Sequence, residues 1–426
     1  MREMKDSGIE WIGEIPVQWN LVQTKRFFTN TKKIAGAKAD NYDRLALTLN
    51  GVIKRSKDDS EGLQPEKFEG YQILCKNELV FKLIDLENVK TSRVGLSPYT
   101  GLVSPAYIVL SNNFSDNRFF YHWFMSMYYN EVFNHLGGEG VRSALNAKDV
   151  LSLPVPDIQL DEQRRIADYL DRKCSQIDDI IARQQAVIEK LKAYKLSVIT
   201  EAVTKGLNPD VPMKDSGVEW IGEIPDHWRL IKLKNIVGIS DGTHDTPAYV
   251  DISETSHPLV TSKCIVNGKI DPSLGNHISQ DDYDEINKRS KVHLYDVIMP
   301  MIGTVGNPAL VLEEPNFAIK NVALLKTRGS LELGKFVLYL LSSNLATVQF
   351  DKINRGGVQS FISQEKLKNM IFTLPDSMSE IVVFLDKKIA AIDNVIKQKQ
   401  MLIDKLVDWK KSLIYEVVTG KKEVKV

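Results

Sequence analysis

The sequence of 426 residues is poor in the features that mark membrane, disulfide-bonded or zinc-binding proteins. Its three cysteines, Cys75, Cys174 and Cys264, lie far apart and form no CxxC pair, which excludes a disulfide framework and a cysteine-based zinc site. No apolar run approaches the roughly 20 residues of a membrane-spanning helix, and the start MREMKDSG lacks the apolar core of a signal peptide. We therefore expect a cytoplasmic protein.

The sequence also lacks an excess of charge of either sign. Lys and Arg together number 55, and so do Asp and Glu, so the formal net charge is zero. This balance counts against an extensively basic DNA-binding surface, but a local basic patch would be sufficient for phosphate contacts. The length is too great for one typical core and predicts two to three domains.

Motifs of known catalytic chemistry are missing as well. The sequence contains no P-loop, no GxGxxG and no HExxH, so nucleotide hydrolysis and metalloprotease activity have no support. The segments NPDV (208–211) and NPAL (307–310) lack the second proline and the aromatic residue with which amino-methyltransferases stack on a flipped base. The sequence therefore gives no positive evidence for an enzyme.

One weak catalytic alternative remains, a nuclease-like PD…DxK pattern that occurs in both halves of the chain. Such a nuclease holds Mg²⁺ with carboxylates grouped on a sheet, whereas both DxK steps here fall on predicted helices. We therefore treat a metal-dependent nuclease as the minor alternative. The pattern comprises Asp157, Asp171 and Lys173 in the first half, and Asp376, Asp386 and Lys388 in the second.

What the sequence does contain is a long internal repeat. Residues 4–16 (MKDSGIEWIGEIP) return at 213–225 with a single change, Ile9 to Val218, and a tryptophan follows in the same register each time, Trp19 and Trp228. Residues 176–204 align with 391–419, while most of the roughly 140 residues before each closing segment differ. The units are far longer than the 20–50 residues of a solenoid repeat. Each half therefore has a constant opening, a variable middle and a constant closing segment.

The two closing segments have the periodicity of long helices. Apolar residues recur at alternating steps of three and four, which predicts an a/d seam with Ile181, Ile188, Ile396 and Ile403 widening the stripe. Two ordinary amphipathic helices in one core are the alternative. The predicted seam positions are Ile177, Ile180, Gln184, Val187, Leu191, Tyr194 and Val198 in the first helix, and Ile392, Val395, Lys399, Leu402, Leu406, Trp409 and Leu413 in the second.

Helix boundaries and the variable middles complete the predicted architecture. Helices should begin near Asp161 and Ser377 and end near Gly206 and Gly420. The middles combine short strands, such as residues 70–84, 101–110, 293–306 and 316–327, with apolar helices at 117–129 and 333–345. The predicted fold class is thus α/β, with two α+β modules separated by two long helices in an antiparallel, pseudo-twofold arrangement.

Binding is the function that these absences leave open, and basic or amide side chains in the middles are candidate DNA contacts. Arg and Lys suit phosphates and guanine edges, and Gln suits adenine edges. The alternative is that these residues are merely solvated, and that His244 of SDGTHDTP belongs to a structural turn. The candidates are Lys54, Arg55, Lys57, Arg93 and Arg142 in the first module, and His244, Lys263, Lys320, Arg355 and Gln359 in the second.

The combination of these motifs resembles one known family. The openings SGIEWIGEIPVQW and SGVEWIGEIPDHW, the stretch LPVPDIQLDEQRRIADYLD and the paired long helices are similar to those of specificity subunits of type I restriction–modification systems. The resemblance covers the whole chain. The second copy departs from it at residues 376–381, where DSMSEI replaces DEQRRI of 161–166.

This resemblance implies both an organisation and a set of partners. It implies target-recognition domains at residues 1–156 and 213–375, a helical spacer at 157–212 and a C-terminal helix at 376–426. Each domain would read one half of a bipartite target in double-stranded DNA. The helices would bind two methyltransferase subunits, and restriction subunits would join the complex. No catalytic residue, metal or cofactor is expected on this chain; S-adenosylmethionine, ATP and Mg²⁺ would belong to the partners. A self-contained DNA enzyme and a coiled-coil scaffold without DNA binding are the alternatives.

Overall fold

The computed structural model describes residues 2–58, 67–84, 86, 91, 93–112, 114–136, 144–303, 305–354 and 361–425. The chain forms two compact units. Unit 1 consists of Met1–Gln184 and Met401–Val426, and unit 2 of Gln185–Gln400. Each unit therefore contains one variable middle and one half of each of the two long helices.

Helices make up much of both units. Those in the described part of the chain are α1 (Asn117–Tyr129), α2 (Val132–His135), α3 (Ala147–Ser152), α4 (Leu160–Lys205), α5 (Gln280–Ser290), α6 (Leu331–Leu341), α7 (Asn344–Asn354), α8 (Gln364–Lys368) and α9 (Met378–Val418). Among the described residues, no helix combines the length and the apolar character that a bilayer crossing demands.

Among the described residues of unit 1, short strands form two small sheets and two two-stranded ribbons. The sheets have the orders β5-β4-β9-β6 and β10-β7-β8, and the ribbons are β1-β2 and β3-β11. The strands are β1 (Met4–Asp6), β2 (Glu14–Pro16), β3 (Asn20–Gln23), β4 (Arg44–Thr48), β5 (Gly51–Arg55), β6 (Gln72–Leu74), β7 (Leu79–Phe81), β8 (Val94–Leu96), β9 (Gly101–Val103), β10 (Ile108–Leu110) and β11 (Pro154–Asp157).

Unit 2 has the same kinds of ribbon but different sheets. Its ribbons β12-β13 and β14-β24 correspond to β1-β2 and β3-β11, and its larger sheets have the orders β15-β23-β20-β21 and β19-β16-β22. The strands are β12 (Met213–Asp215), β13 (Glu223–Pro225), β14 (Arg229–Lys232), β15 (Gly238–Asp241), β16 (His257–Val260), β17 (Ile265–Val266), β18 (Lys269–Ile270), β19 (Asn276–Ile278), β20 (Val297–Pro300), β21 (Ala309–Leu310), β22 (Ala318–Ile319), β23 (Val322–Lys326) and β24 (Ile371–Leu374).

An apolar helix occupies the core of each unit because its sequence has little polar surface to expose. In α1, the Asp116 side chain caps the first turn by accepting a hydrogen bond from the Arg118 amide at 2.9 Å, and the buried side chains include Phe120, Trp123 and Phe124. In α6, Ser330 caps the helix in the same way. The predicted helices at 117–129 and 333–345 are therefore present, the second beginning and ending a few residues earlier than expected.

The two long helices run antiparallel within each unit. In unit 1, the end of α9 around Leu413 and Val417 packs with the start of α4 around Ile166 and Leu170. In unit 2, the end of α4 around Val198 packs with the start of α9. The helices begin one residue from the predicted Asp161 and Ser377, and glycines in the left-handed region follow their ends, Gly206 with φ +79° and Gly420 with φ +74°.

Candidate nucleic-acid interface and its framework

The loop after β15 carries the best-defined basic surface of unit 2. Backbone hydrogen bonds fix it against the connection between β22 and β23, since the Thr243 amide donates to the Ile319 carbonyl at 3.0 Å and the Asn321 amide donates to Thr243 at 3.1 Å. A Cβ at Gly242 would collide with the carbonyl of Ile319, so this close approach of the two backbones requires glycine. The loop is therefore a rigid platform for the side chains that follow.

His244 projects from this platform with its side chain 57% exposed. Its Nδ1 lies 2.9 Å from Oδ1 of Asn321, and its Nε2 lies 3.0 Å from Oδ2 of the buried Asp241. The hydrogen bond with Asn321 makes the largest contribution, followed by that with Asp241, and together they raise the pKa of His244 above its usual 6.5. Arg289 also donates to Asp241, so a buried carboxylate orients two cationic side chains.

Lys320 and Lys263 belong to the same edge of the unit. The Lys320 amide donates to the Val260 carbonyl at 2.9 Å, and its Nζ contacts the Thr246 hydroxyl. Lys263 is exposed in the short turn that follows β16, three residues beyond Val260. The structure thus brings three sequence-predicted candidates, His244, Lys263 and Lys320, to one region, which we call the unit 2 basic edge.

The candidates of unit 1 are held by local carboxylates. Lys54 forms an ion pair with Asp43 at 2.7 Å, and its Nζ lies 5.3 Å from the centre of the Tyr99 ring. Lys57 donates to the Ala39 carbonyl at 2.9 Å and lies 3.7 Å from Asp40. Both lysines are therefore part of a surface with alternating charges, and they can reach a phosphate by exchanging an exposed carboxylate for it.

Sequence reasoning missed the arginine that lies beside these candidates. Arg44 of β4 is directly opposite the predicted candidate Arg55 of β5 in the antiparallel ladder. Arg44 is 9% exposed, and its Nη1 has no hydrogen-bond partner in the described part of the chain. The alternation of Arg44 with Ala46 and Thr48 was a signal that could have placed its side chain beside that of Arg55, on the half-buried face.

Arg93 was wrongly predicted as a DNA contact. It is 1% exposed, and its Nη1 donates to the backbone carbonyls of Ile84 at 2.9 Å and Lys82 at 3.4 Å. A guanidinium in this position organises its own loop, because burial removes it from any base edge. The candidates Arg142, Arg355 and Gln359 lie outside the described residues.

The nuclease-like pattern has a structural explanation. Asp171 of α4 and Asp386 of α9 each accept hydrogen bonds from side chains of α1 and α6, respectively. Among the described residues, no group of three or more His, Cys, Asp and Glu side chains could hold a metal ion. The DxK steps therefore reflect contacts between the middles and the long helices.

The repeated opening receives the end of a long helix in each unit. In unit 1, Gly420 lies against the buried ring of Trp19, and the Tyr415 hydroxyl donates to the Ile12 carbonyl at 2.9 Å. In unit 2, Gly206 lies against Trp228, which is 5% exposed. Trp19 and Trp228 thus pack at equivalent junctions of the two units.

Four of the seven predicted seam positions in each helix are buried or half-buried, and three are exposed. The stripe of buried and half-buried residues includes Ile181, Ile188 and Lys195 in α4, and Ile396, Ile403 and Lys410 in α9. Six predicted seam residues each precede one of these stripe residues by one position, and their side chains are 37% to 50% exposed. These are Ile180, Val187, Tyr194, Val395, Leu402 and Trp409.

Two equivalent ion pairs explain how lysines occupy that stripe. In unit 2, Lys195 of α4 contacts Asp393 of α9 at 2.7 Å, and in unit 1, Lys410 of α9 contacts Asp178 of α4 at 2.7 Å. Both lysines and both aspartates are related by the 215-residue offset of the closing segments. The aspartate on the facing helix compensates the charge that would otherwise exclude lysine from a helix interface.

Comparisons with known proteins agree with this architecture. No family model matches the chain. The chain is 26% identical over 293 residues to the type I restriction enzyme EcoBI specificity subunit of Escherichia coli, which covers 66% of this chain and 61% of that protein. It is 26% identical over 258 residues to the MjaVIII specificity subunit of Methanocaldococcus jannaschii, covering 59% of this chain and 57% of that protein. The matches thus span about three-fifths of each relative's length.

A solved structure extends the similarity to nearly the whole chain. It comes from a study of complex assembly and conformational transition of a type I R-M system, with a TM-score of 0.67, 14% identity, and coverage of 96% of this chain and 99% of that one. The predicted fold class, two α+β modules with two long antiparallel helices, is therefore confirmed. The resemblance to type I specificity subunits that the repeated motifs indicate is confirmed as well.

Proposed function

We propose that this chain is a non-catalytic DNA-binding specificity subunit of a type I restriction–modification complex, acting in the cytoplasm on a bipartite target. The observation that carries the proposal is the repetition of one framework around two unlike middles. Ribbons, tryptophan anchors and helix pairs occur in both units, whereas the sheets of the middles differ in strand order. A repeated framework supports two equivalent docking tasks, and unlike middles support two different reading tasks.

The unit 2 basic edge is the proposed reading surface for one half-site. His244, Lys320 and Lys263 supply positive charge without a basic protein overall, and Asn321 supplies an amide. Cationic side chains on a rigid platform suit phosphate oxygens and guanine edges. In unit 1, the corresponding task falls to Lys54, Lys57 and Arg55, on and next to β5.

The exposed apolar stripe of the long helices is the proposed docking face for methyltransferase subunits. Unit 1 presents Ile180, Leu402 and Trp409, and unit 2 presents their equivalents Val395, Val187 and Tyr194. A row of large apolar side chains at heptad spacing fits an amphipathic helix of a partner. Two equivalent rows favour two identical partners. S-adenosylmethionine, ATP and Mg²⁺ would then be bound by the methyltransferase and restriction subunits.

Purification of the chain with and without its methyltransferase partners tests this proposal. The chain alone should transfer no methyl group and cut no DNA, and the complex should methylate adenine within one two-part sequence. A self-contained enzyme would be active alone, and a scaffold without DNA binding would leave the complex unable to select a sequence. Either result would overturn the proposal.

A further inference from the structure

A single carboxylate on each long helix fixes the apolar helix of the neighbouring middle. In unit 1, Asp171 of α4 accepts from two side chains of α1. His122 Nε2 lies 2.8 Å from Oδ1 of Asp171, and Arg118 Nη1 donates to Oδ2 at 3.1 Å. Arg118 also donates to Asp168 at 2.7 Å, one turn earlier on α4. We call Arg118, His122 and Asp171 the unit 1 clamp.

Unit 2 contains the same arrangement built from different residues. Asp386 of α9 accepts a hydrogen bond from the Tyr339 hydroxyl at 2.6 Å and from Lys335 Nζ at 2.5 Å. Both donors lie on α6. We call Lys335, Tyr339 and Asp386 the unit 2 clamp.

The two clamps are equivalent although the middles have diverged. Asp171 and Asp386 are 386 − 171 = 215 residues apart, which is the offset of the closing segments. Lys335 follows Arg118 by 335 − 118 = 217 residues, and Tyr339 follows His122 by 339 − 122 = 217. In both helices a cation precedes a ring by four residues, so both groups share one helix face. The geometry has thus been kept while the residue types changed.

The clamps consist of directional, charge-assisted contacts at the margin of the core. His122 is 4% exposed and Tyr339 is 7% exposed, whereas the aspartates are partly open to solvent. Burial raises the pKa of Asp171, but hydrogen bonds from His122 and Arg118 outweigh it and hold that pKa below its usual value. Burial and the hydrogen bond to Asp386 raise the pKa of Tyr339. Asp171 therefore acts as a carboxylate acceptor at neutral pH.

We propose that Asp171 and Asp386 are positioning residues that fix the angle of each reading module on its long helix and thereby set the gap tolerated between the two half-sites. Apolar packing between a module and a helix is largely non-directional. A carboxylate that accepts hydrogen bonds at both oxygens instead favours one orientation of the module on the helix. A small rotation at the helix would move a distant reading surface by several ångströms. The inference rests on the proposed function, because a gap exists only for a two-part target.

Selection of bound duplexes from a random library tests this inference. The probe is the full-length chain with its methyltransferase subunits, and the variant is Asp171→Asn, which keeps the side-chain volume and removes the charge. Both half-site sequences should be retained, while duplexes with gaps one base pair longer or shorter should be enriched about tenfold over wild type, as expected for loss of a charge-assisted contact. Glu189→Gln is the matched control, because Glu189 pairs with Lys192 on the same helix at 2.9 Å.

Further variants separate positioning from a merely structural role. Tyr339→Phe removes one hydroxyl from the unit 2 clamp and should relax the gap even if Asp171→Asn folds poorly. The double variant Arg118→Lys with His122→Tyr installs the unit 2 clamp in unit 1 and should keep the wild-type gap.

The possible failures are distinguishable. If Asp171→Asn and Tyr339→Phe lower the melting temperature but select the wild-type gap distribution, the clamps are structural only and the inference is overturned. If the double variant Arg118→Lys with His122→Tyr accepts altered gaps as readily as Asp171→Asn does, the two clamps are not equivalent. If the wild-type complex selects no two-part sequence, the proposed function itself fails.

Discussion

The chemistry of His244 bears most directly on the proposed DNA contact, because both of its ring nitrogens have oxygen partners. Asn321 and Asp241 stabilise the protonated ring and raise its pKa above 6.5. A raised pKa means that the stabilisation is complete below pH 6.5 and is lost as the pH rises through the higher value in the folded protein. The unit 2 basic edge thus carries an additional positive charge at pH values below the raised pKa of His244.

We predict that affinity for the second half-site weakens as the pH rises through the raised pKa of His244. His244→Gln should bind more weakly at low pH and should show a flatter dependence, because glutamine has no charge to lose. Titrations of a duplex carrying the second half-site, on either side of pH 6.5, would measure this. His227→Gln, an exposed histidine beside Asp226, is the control. Parallel curves for wild type and His244→Gln would contradict the assignment.

Arg93 provides the opposite case of a basic residue with no reading task. Arg93→Met removes a buried guanidinium from the carbonyls of Ile84 and Lys82, so it should lower the free energy of unfolding by about 2 kcal/mol. Chemical denaturation would measure the loss, and the selected half-site sequence should be unchanged. A changed sequence with unchanged stability would restore Arg93 as a DNA contact.

Residue identity alone could not separate these two cases. His244 and Arg93 are both polar residues of loop-like segments, and their difference in burial cannot be read from the residue types. His244 contacts Asp241, which in turn accepts from Arg289. Asp241 and Arg289 are 289 − 241 = 48 residues apart, so their contact depends on the fold of the whole unit. Local patterns predict a turn at 241–247 but not which distant side chains complete it.

At the scale of the element, the long helices were the best predicted part of the chain. Capping residues and glycines located their ends to within a few residues, and four predicted seam positions in each helix are buried or half-buried. Two of the other three are exposed because apolar residues stand side by side, as in Ile180 and Ile181, so both choices satisfy the pattern. Lys195 and Lys410 were passed over for their apolar neighbours, since their aspartate partners lie on the facing helix.

The exposed apolar residues of the long helices lead to a prediction about assembly. Leu402→Glu combined with Trp409→Glu places two charges on the docking face of unit 1 and should abolish binding of one of two methyltransferase subunits. Mass measurement of the complex in solution would show the loss. The equivalent pair Val187→Glu and Tyr194→Glu should remove the other subunit, and Lys405→Glu, an exposed polar position of α9, is the control. Two bound subunits on either variant would move the docking site elsewhere.

At the scale of the whole molecule, the sequence predicts the repeated framework better than the variable middles. The framework is written twice, so each copy supports the interpretation of the other. Each middle occurs once and is built from strands of two to five residues, whose pairing depends on distant partners such as β16 with β22. Short strands have little periodicity of their own, which is why the sheet orders could not be predicted.

The helices also predict a response of the whole molecule to a change in length. One heptad inserted in α4 after Gln184 and one in α9 after Gln400 preserves the buried stripe and adds about 10 Å to each helix. The gap between half-sites should lengthen by up to about three base pairs, and both half-site sequences should remain, since no reading residue is changed. Sequencing of methylated sites would report the new gap. An unchanged gap with a folded complex would show that the partners set the spacing.

We propose above all that each unlike middle reads one half of a two-part DNA target. Residues 17–156 can be exchanged for the corresponding residues of a relative with a different target, and methylated adenines can be sequenced in a host that also expresses the methyltransferase. We expect a two-part motif in which one half is new, the other half is unchanged, and the adenine in each half is modified. A change in both halves, or in neither, would contradict it.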